Sequence, residues 1–166
     1  MKKKNQIYSN DFGVNLNRAL RFLSFRPRSE KEIRDYLSKK KVSELVAQKI
    51  LSKLKENKFL NDEEFAKWWV EQRTLVKPRA WRVIKIELKQ KGIPKEIIEQ
   101  LTQNTEFKLQ NDLEMAIKLA QKRLPRYKNL PNQEIYQKLS RYLASKGFDW
   151  ETVKISIDEV FSKEYN

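Results

Sequence analysis

The sequence contains no cysteine and no histidine, and it has only three glycines and five prolines in 166 residues. Without cysteine there are no disulfides and no thiolate ligands for a metal. Without histidine the chain lacks the usual general base near neutral pH and the commonest metal ligand. Three isolated glycines cannot form a glycine-rich phosphate loop. These absences predict a protein that is not an enzyme and that holds neither a metal nor a cofactor.

The chain also has no long apolar segment. No run of apolar residues approaches the roughly 20 that a helix needs to cross a bilayer. The opening residues, Met1-Lys2-Lys3-Lys4, are not followed by the apolar core of a secretory signal. We therefore expect a cytoplasmic protein.

Acidic residues are scarce relative to basic ones. The chain has 36 lysines and arginines against 22 aspartates and glutamates, a formal net charge of +14. Residues 1–60 hold 16 of the basic and 6 of the acidic side chains, so most of the excess lies in the first third. This excess favours an anionic partner, most often nucleic acid, over the alternative of a lysine-rich surface that only aids solubility. A membrane surface fits less well, because no basic amphipathic helix has a clean aromatic face.

The few glycines and prolines, with abundant lysine, glutamate, leucine and isoleucine, are typical of an almost wholly helical chain. Apolar residues recur at helical spacing in nine segments, which fall into three groups of three. Each group repeats an alanine, an arginine seven residues later, an apolar pair at i, i+4 and a final apolar residue. These positions are Ala19, Ala66 and Ala116; Arg26, Arg73 and Arg123; Ile33/Leu37, Ile84/Leu88 and Leu139/Leu143; and Val42, Ile93 and Phe148.

We therefore predict an all-α protein of three tandem three-helix, helix-turn-helix-like repeats. The repeats are expected to span residues 14–60, 61–104 and 105–166, behind a basic flexible tail at residues 1–13. The first helix is expected from Val14 to Phe25.

Capping residues predict where the other helices begin. Ser29-Glu30-Lys31-Glu32 is a capping box ahead of the second helix. Other predicted N-caps are Ser43, Asn61 with Asp62, Asn111 with Asp112, and Asp149. Pro94 is expected to open the helix through Ile97, Ile98 and Leu101, because proline fits the first helical turn.

Other signals predict helix ends and inward faces. Gly92 and Gly147 are expected to end helices, and the first repeat has Lys41 at the same position. Leu45 is predicted to face inward. Residues 102–105 are a predicted hinge, and residues 125–131 are the longest predicted loop.

Basic side chains collect around the second helix of each repeat and the loop before it. Guanidinium groups bind phosphates or carboxylates in bidentate fashion, which suits an extended anionic surface. The alternative is that these charges are simply the solvated faces of helices. The candidate binding residues are Arg26, Arg28, Arg34, Lys39, Lys40, Lys41, Arg73, Lys77, Arg79, Arg82, Lys85, Lys89, Arg123, Arg126 and Lys128.

Three further features bear on where a site could lie. Trp81 lies between Arg79 and Arg82, so it either stacks on a base or a partner or packs in the core. Trp68 and Trp69 point roughly 100° apart on a helix, so at most one is expected deep in the core. Residues 62–64, Asp-Glu-Glu, are better explained as acids in the first turn of a helix than as a metal or acid–base cluster.

Two blocks of the sequence resemble the RecX family. They are ALRFLSFRPRSEKEI at residues 19–33, and LNDEEFA at 60–66 with Arg73 and ELKQKGI at 87–93. The resemblance covers roughly residues 16–160 and is strongest in the first two repeats. It implies tandem helix-turn-helix modules in an elongated, curved array. It also implies a bacterial regulator that lies in the groove of the RecA filament and suppresses ATP hydrolysis, strand exchange and co-protease action. Family members often have a glycine near residues 78–80, which this chain lacks.

Three hypotheses follow, in order of preference. The first is a non-enzymatic modulator of RecA in recombinational repair and the SOS response, which acts as a monomer and binds the RecA filament and single- or double-stranded DNA. The second is a regulator that binds DNA sequence-specifically through one helix-turn-helix repeat. The third is a helical scaffold for an acidic protein.

Overall fold

The structure is a computed structural model that describes residues 11–104 and 109–164. Over these ranges the chain is all-α, as predicted, and contains no strand. None of the helices in this described part is long and apolar enough to cross a membrane. The α-helices are α1 Phe12–Ser24, α2 Glu30–Lys39, α3 Glu44–Glu56, α4 Asp62–Glu71, α5 Trp81–Gln90, α6 Lys95–Asn104, α7 Leu109–Arg123, α8 Asn132–Ser145 and α9 Trp150–Glu164. A π-helical turn follows α4 at Gln72–Val76, and a 3-10 turn follows α7 at Leu124–Tyr127.

The helices form two compact units that do not coincide with the three repeats. Of the described residues, the first unit takes those up to Trp69 together with Leu88–Ile97. The second unit takes Val70–Glu87 together with those from Ile98 onward. The middle repeat therefore contributes residues to both units.

The core of the first unit lies between α1, α2 and α3. Ala19 on α1 is fully buried, and Leu16, Leu20 and Leu23 pack against the core while remaining partly exposed. The facing helices supply Ile33, Leu37, Val46, Ala47, Ile50, Leu51 and Leu54. Burying each large side chain of this kind stabilises the fold by about 1.5–3 kcal/mol. The small side chain of Ala19 leaves room for the facing helices.

The core of the second unit lies between α7, α8 and α9. Ala116, Leu119 and Ala120 on α7 face Leu139 and other apolar side chains of the two following helices. These side chains are Ile135, Leu143, Val153, Ile157 and Val160, and Phe148 joins them from the turn between the two helices. The predicted apolar pair Leu139/Leu143 is fully buried, because residues four apart lie on one face of a helix.

Several predicted helix starts are confirmed, and others need correction. Ser29 and Glu32 form the complete capping box, and Asp149 accepts a hydrogen bond from Thr152 N at 2.8 Å. Ser43 stands at the N-cap of α3 but makes no side-chain capping bond. The first helix begins at Phe12, not Val14, with Asp11 accepting from Val14 N, so Phe12 and Gly13 do not belong to a tail. Residues 1–10 lie outside the described residues.

The interiors and ends of some helices also differ from expectation. Leu45 is 67% exposed, because the helical stripe buries its neighbour Val46 instead. The predicted hinge at 102–105 is helical up to Asn104, and residue 105 lies outside the described residues. The predicted loop at 125–131 begins with the 3-10 turn that follows α7.

Equivalent positions in the three repeats share a left-handed backbone conformation. The φ angle is +58° at Lys41, +79° at Gly92 and +95° at Gly147. At Gly92 and Gly147 a second reason favours glycine, because an added Cβ would lie 2.7 Å from Lys31 Cβ and 2.2 Å from Val83 Cγ2. Lys41 adopts the same conformation at the ordinary cost of a non-glycine residue.

We expect Gly147→Ala to destabilise the protein by about 2–4 kcal/mol, from the strained φ and the clash with Val83 together. The matched control is Gly13→Ala on the exposed first turn of α1, where the nearest atom is 3.6 Å from the new Cβ. That change should be neutral or stabilising by up to about 1 kcal/mol, since alanine favours helix. Chemical denaturation followed by circular dichroism measures both. Equal stability of the two variants would contradict the role given to Gly147.

Candidate nucleic-acid and partner interface

A joint between successive second helices occurs once in each unit, and several of the candidate arginines lie at it. In the first unit the start of α2 meets the end of α5, where Ser29 Oγ donates to Lys91 O at 2.7 Å. In the second unit the start of α5 meets the end of α8, where Ala80 N donates to Lys146 O at 3.1 Å. Each joint thus places the beginning of one second helix against the end of the next. Gly92 and Gly147 allow the close approach.

An aspartate from the first helix of the following repeat completes each joint. Asp62 Oδ1 accepts from Glu30 N at 2.8 Å, at the start of α2. Asp112 accepts from Trp81 N at 3.0 and 3.2 Å, at the start of α5. Both aspartates therefore satisfy backbone donors at the N-terminus of another helix.

These contacts correct the predicted roles of Asp62 and Asp112. Asn61 alone caps α4, accepting from Glu63 N at 2.9 Å, and Asp62 is the first helical residue. The helix α7 begins at Leu109, so Asp112 lies inside it and cannot cap it. Burial raises the pKa of both aspartates above the ordinary value, although the backbone hydrogen bonds act in the opposite direction.

In the first joint Glu32 forms ion pairs with Arg26 and Lys91. Arg26 Nη2 and Lys91 Nζ lie 2.7 and 2.8 Å from Glu32 Oε1. Burial acts to raise the pKa of Glu32, but the hydrogen bonds and charges of Arg26 and Lys91 outweigh it and hold the pKa below its usual value. The same cations lie over tryptophan rings, Arg26 Cζ at 5.7 Å from Trp68 and Lys91 Nζ at 4.1 Å from Trp69. Both tryptophans are half-buried, so neither lies deep in the core.

A ladder of stacked side chains crosses α1 and α2. Arg28 Cζ lies 3.8 Å from the centre of the Phe22 ring, and Phe22 stacks on Tyr36 with ring centroids 4.3 Å apart. Lys40 Nζ is 5.7 Å from the Tyr36 ring. Burial, followed by repulsion from Arg26, lowers the pKa of Arg28 from its ordinary value. The ladder combines aromatic faces with cations, which is the combination that binds single-stranded nucleic acid.

A groove of about 670 Å³ lies beside Arg26 in the first unit. Leu20, Leu23, Phe59 and Trp68 supply apolar lining, and Arg26 and Arg28 line the groove as well. Phe59 is 57% exposed. The groove therefore offers apolar contact area next to cations.

Most of the candidate arginines are engaged within the protein. Arg34 pairs with Glu30 and Glu44, and Arg73 Nε lies 2.7 Å from Glu87. In the second joint Arg79 donates to Ser145 O at 2.7 Å, and Arg82 donates to Gly147 O. Arg123 donates to Tyr127 Oη at 3.1 Å and lies over the Tyr142 ring at 4.9 Å. These arginines position helix ends and loops.

The lysines are the more accessible part of the candidate surface. Among the residues that the structure describes, the exposed candidates with neither an ion pair nor a side-chain hydrogen bond are Lys39, Lys40, Lys41, Lys77, Lys89, Arg126 and Lys128. Lys85 is half-buried. Trp81 is 8% exposed, which supports its interpretation as a core residue rather than a stacking platform.

Sequence reasoning missed Lys91, which completes the Glu32 cluster from 59 residues away. It also missed Leu75 and Val76, two neighbouring apolar residues that are 73% and 63% exposed. One signal was present for the second pair. On a regular helix the stripe of Phe65, Ala66 and Val70 continues through positions 73, 76 and 77, so Leu75, the more exposed of the two, falls outside it.

The fold and this surface define a helical repeat protein in which three-helix, helix-turn-helix-like modules carry an exposed basic surface. Three family models match the chain in order: the first three-helix domain of RecX at residues 16–54, the second at 61–101 and the third at 110–155. The chain belongs to the RecX family. The third domain matches as well, although the motifs that carry the resemblance are concentrated in the first two repeats.

Individual relatives agree with the family models. Regulatory protein RecX of Listeria welshimeri is 38% identical over 139 residues, which are 84% of this chain and 51% of that protein. Its counterpart in Bacillus subtilis is 32% identical over 153 residues, 92% of this chain and 57% of that protein. The chain thus spans about half the length of the curated relatives it matches.

Two solved structures are also similar. The crystal structure of RecX from Lactobacillus salivarius matches with a TM-score of 0.68 and 28% identity, over 90% of this chain and 96% of that one. A second crystal structure, of regulatory protein RecX, matches with a TM-score of 0.67 and 30% identity, over 89% and 71% of the two chains.

The raised pKa of Asp62 predicts how the stability of variants at this position depends on pH. Asp62→Ala should destabilise the protein by about 1 kcal/mol at pH 7, because Glu30 N loses its acceptor. Asp62→Asn keeps an acceptor oxygen and removes the buried charge. Since the folded-state pKa of Asp62 is raised, the wild-type contribution is fully present below the unfolded pKa and is lost as pH rises through the folded pKa.

Asp62→Asn should therefore gain stability relative to wild type as pH rises from about 4 to 7. Urea denaturation at several pH values measures this difference. A loss of stability at pH 7 as large as that of Asp62→Ala would show that the carboxylate charge itself is needed.

Proposed function

We propose that this protein is a non-enzymatic regulator that binds the RecA filament on single-stranded DNA and limits RecA activity. The activities concerned are ATP hydrolysis, strand exchange and co-protease action, in recombinational repair and the SOS response of the bacterial cytoplasm. The observation that carries the proposal is the ordered match of all three RecX domains to this chain. The name of the curated relatives, Regulatory protein RecX, agrees with a regulatory role.

The distribution of cations supports contact with a nucleoprotein filament. The engaged arginines fix the joints, while the exposed lysines at the ends of second helices remain available to phosphates or carboxylates. Lys39, Lys40 and Lys41 form the densest such group, at the C-terminal end of α2. The absence of histidine and cysteine from the chain is consistent with regulation by binding rather than by chemistry.

The test adds the protein to a preformed RecA–single-stranded DNA–ATP filament and follows ATP hydrolysis at near-physiological salt. Naked DNA at the same concentration is the binding control. We expect inhibition at protein concentrations well below those that coat naked DNA. If ATP hydrolysis and strand exchange stay unchanged with this protein in stoichiometric excess over RecA, the proposal is wrong.

A second candidate function is direct, sequence-specific binding of duplex DNA by one helix-turn-helix repeat. The observation that favours it is the exposed group of Lys39, Lys40 and Lys41 at the C-terminal end of α2, which can contact duplex phosphates without any other protein. Selection from a random duplex pool decides it. A specific regulator should lose about 1–3 kcal/mol for each mismatch, whereas equal binding to all sequences would exclude it.

The lysine group makes a quantitative prediction for single-stranded DNA. The triple variant Lys39→Gln, Lys40→Gln, Lys41→Asn should bind more weakly and lower the slope of log affinity against log salt by about 2, because each phosphate contact contributes about 0.7. Asparagine is chosen at position 41 because it tolerates the left-handed backbone there.

The matched control removes the same charge from exposed lysines on other helices, as Lys49→Gln, Lys138→Gln and Lys154→Gln. Fluorescence anisotropy over a range of salt concentrations measures both variants. Identical slopes for the two would mean that binding depends on net charge alone and not on this lysine group.

A further inference from the structure

The second unit has an apolar groove beside the π-helical turn. The groove encloses about 480 Å³, and its apolar lining is Leu75, Val76, Pro78, Met115 and Leu119. We name it the Leu75 groove. Leu75 and Val76 are the two most exposed members, at 73% and 63%. Single exposed apolar side chains are normal on protein surfaces, but adjacent ones that line a groove mark a contact surface.

Hydrogen bonds fix the π-helical turn that exposes Leu75 and Val76. Lys77 N donates to Gln72 O at 2.9 Å, the five-residue bond of a π-helix. Thr74 Oγ1 donates to Val70 O at 3.0 Å and to Glu71 O at 3.1 Å. The turn is therefore an ordered feature and not a frayed helix end. Such π-turns occur frequently at functional sites.

The charge around the groove selects the kind of partner. Lys118 and Lys122 lie one turn apart on α7 and line the groove, and Glu114 is its acidic member. Within the described residues neither lysine forms an ion pair, and both are exposed. Lys77, at the end of the π-helical turn, is exposed as well. An occupant needs apolar side chains for the lining and carboxylates for the lysines.

We propose that the Leu75 groove is the docking site for an acidic protein segment that presents apolar side chains on one face of a helix. Helix-in-groove recognition uses this combination of apolar anchors and a charged rim. The inference rests on the proposed function, because the partner is taken to be the RecA filament. It goes beyond that function by assigning protein contact to the second unit and to apolar side chains that carry no DNA-binding chemistry.

The main test is the double variant Leu75→Ser, Val76→Ser. Its matched control is Ile86→Ser, Ile155→Ser, which changes two exposed apolar side chains of the same unit that do not line the groove. Labelled protein is titrated against a preformed RecA–single-stranded DNA filament and, separately, against naked single-stranded DNA. We expect the groove variant to bind the filament roughly tenfold more weakly or worse, with affinity for naked DNA unchanged and the control like wild type.

A second variant, Lys118→Glu with Lys122→Glu, tests the charge without altering the π-helical turn. It should weaken filament binding by at least about fivefold at low salt, with the difference shrinking at high salt. Circular dichroism establishes that each variant folds.

The outcomes separate the inference from the function on which it rests. Wild-type protein that neither binds nor inhibits the filament overturns both. Wild-type protein that binds, with both variants binding equally well, overturns the Leu75 groove alone. Sedimentation that shows a dimer for wild type and a monomer for the groove variant would make a second copy of this chain the occupant, and this too overturns the proposal.

Discussion

The joint between successive second helices is the constraint on which both units depend. A helix begins with backbone N–H groups that have no partner within the helix, and it ends with carbonyl groups in the same condition. Here the start of α2 finds Asp62 and the start of α5 finds Asp112, while the carbonyls of Lys91 and Lys146 accept from the neighbouring helix start. Polar groups that would be costly to bury alone therefore satisfy one another across repeats. The apolar cores can then close around them.

This arrangement divides the basic residues between two tasks. Arginine offers several donors in a fixed planar group, which suits fixed acceptors such as the Glu32 carboxylate and the carbonyl of Ser145. Lysine carries a point charge on a flexible stem, and Lys39, Lys40, Lys41 and Lys89 near the ends of α2 and α5 stay in solvent. Although the chain has a large positive charge, most of its candidate arginines therefore bind acceptors within the protein itself. For a regulator of the kind proposed, the surface available to a partner is defined more by lysines and apolar side chains than by arginines.

The sequence predicted the features that depend on nearby residues. The capping box at Ser29 and Glu32, the buried pair Leu139/Leu143 and the helix ends at Gly92 and Gly147 all follow from local spacing. It did not predict contacts between residues far apart in the chain. Asp62 has the sequence appearance of a cap for its own helix, and only the fold brings it to Glu30. Lys91 reaches Glu32 for the same reason.

The π-helical turn was also beyond sequence reasoning, since its residues form an ordinary helix in most contexts. For the candidate site, the residue types in the sequence identify where cations concentrate, but their partners decide which cations remain accessible. Arg73 and Lys77 look equivalent in sequence, whereas Arg73 lies against Glu87 and Lys77 is exposed.

The left-handed position at the end of each second helix gives the repeats a direction. At Gly92 and Gly147 bare backbone faces the preceding repeat, and even one added carbon would overlap Lys31 or Val83. At the same position the first repeat carries Lys41, an exposed residue with a full side chain in place of a bare backbone. The repeats are therefore not interchangeable modules. An engineered array could be lengthened by glycine-bearing copies behind the third repeat, whereas a copy in front of the first would have to replace Lys41 with glycine.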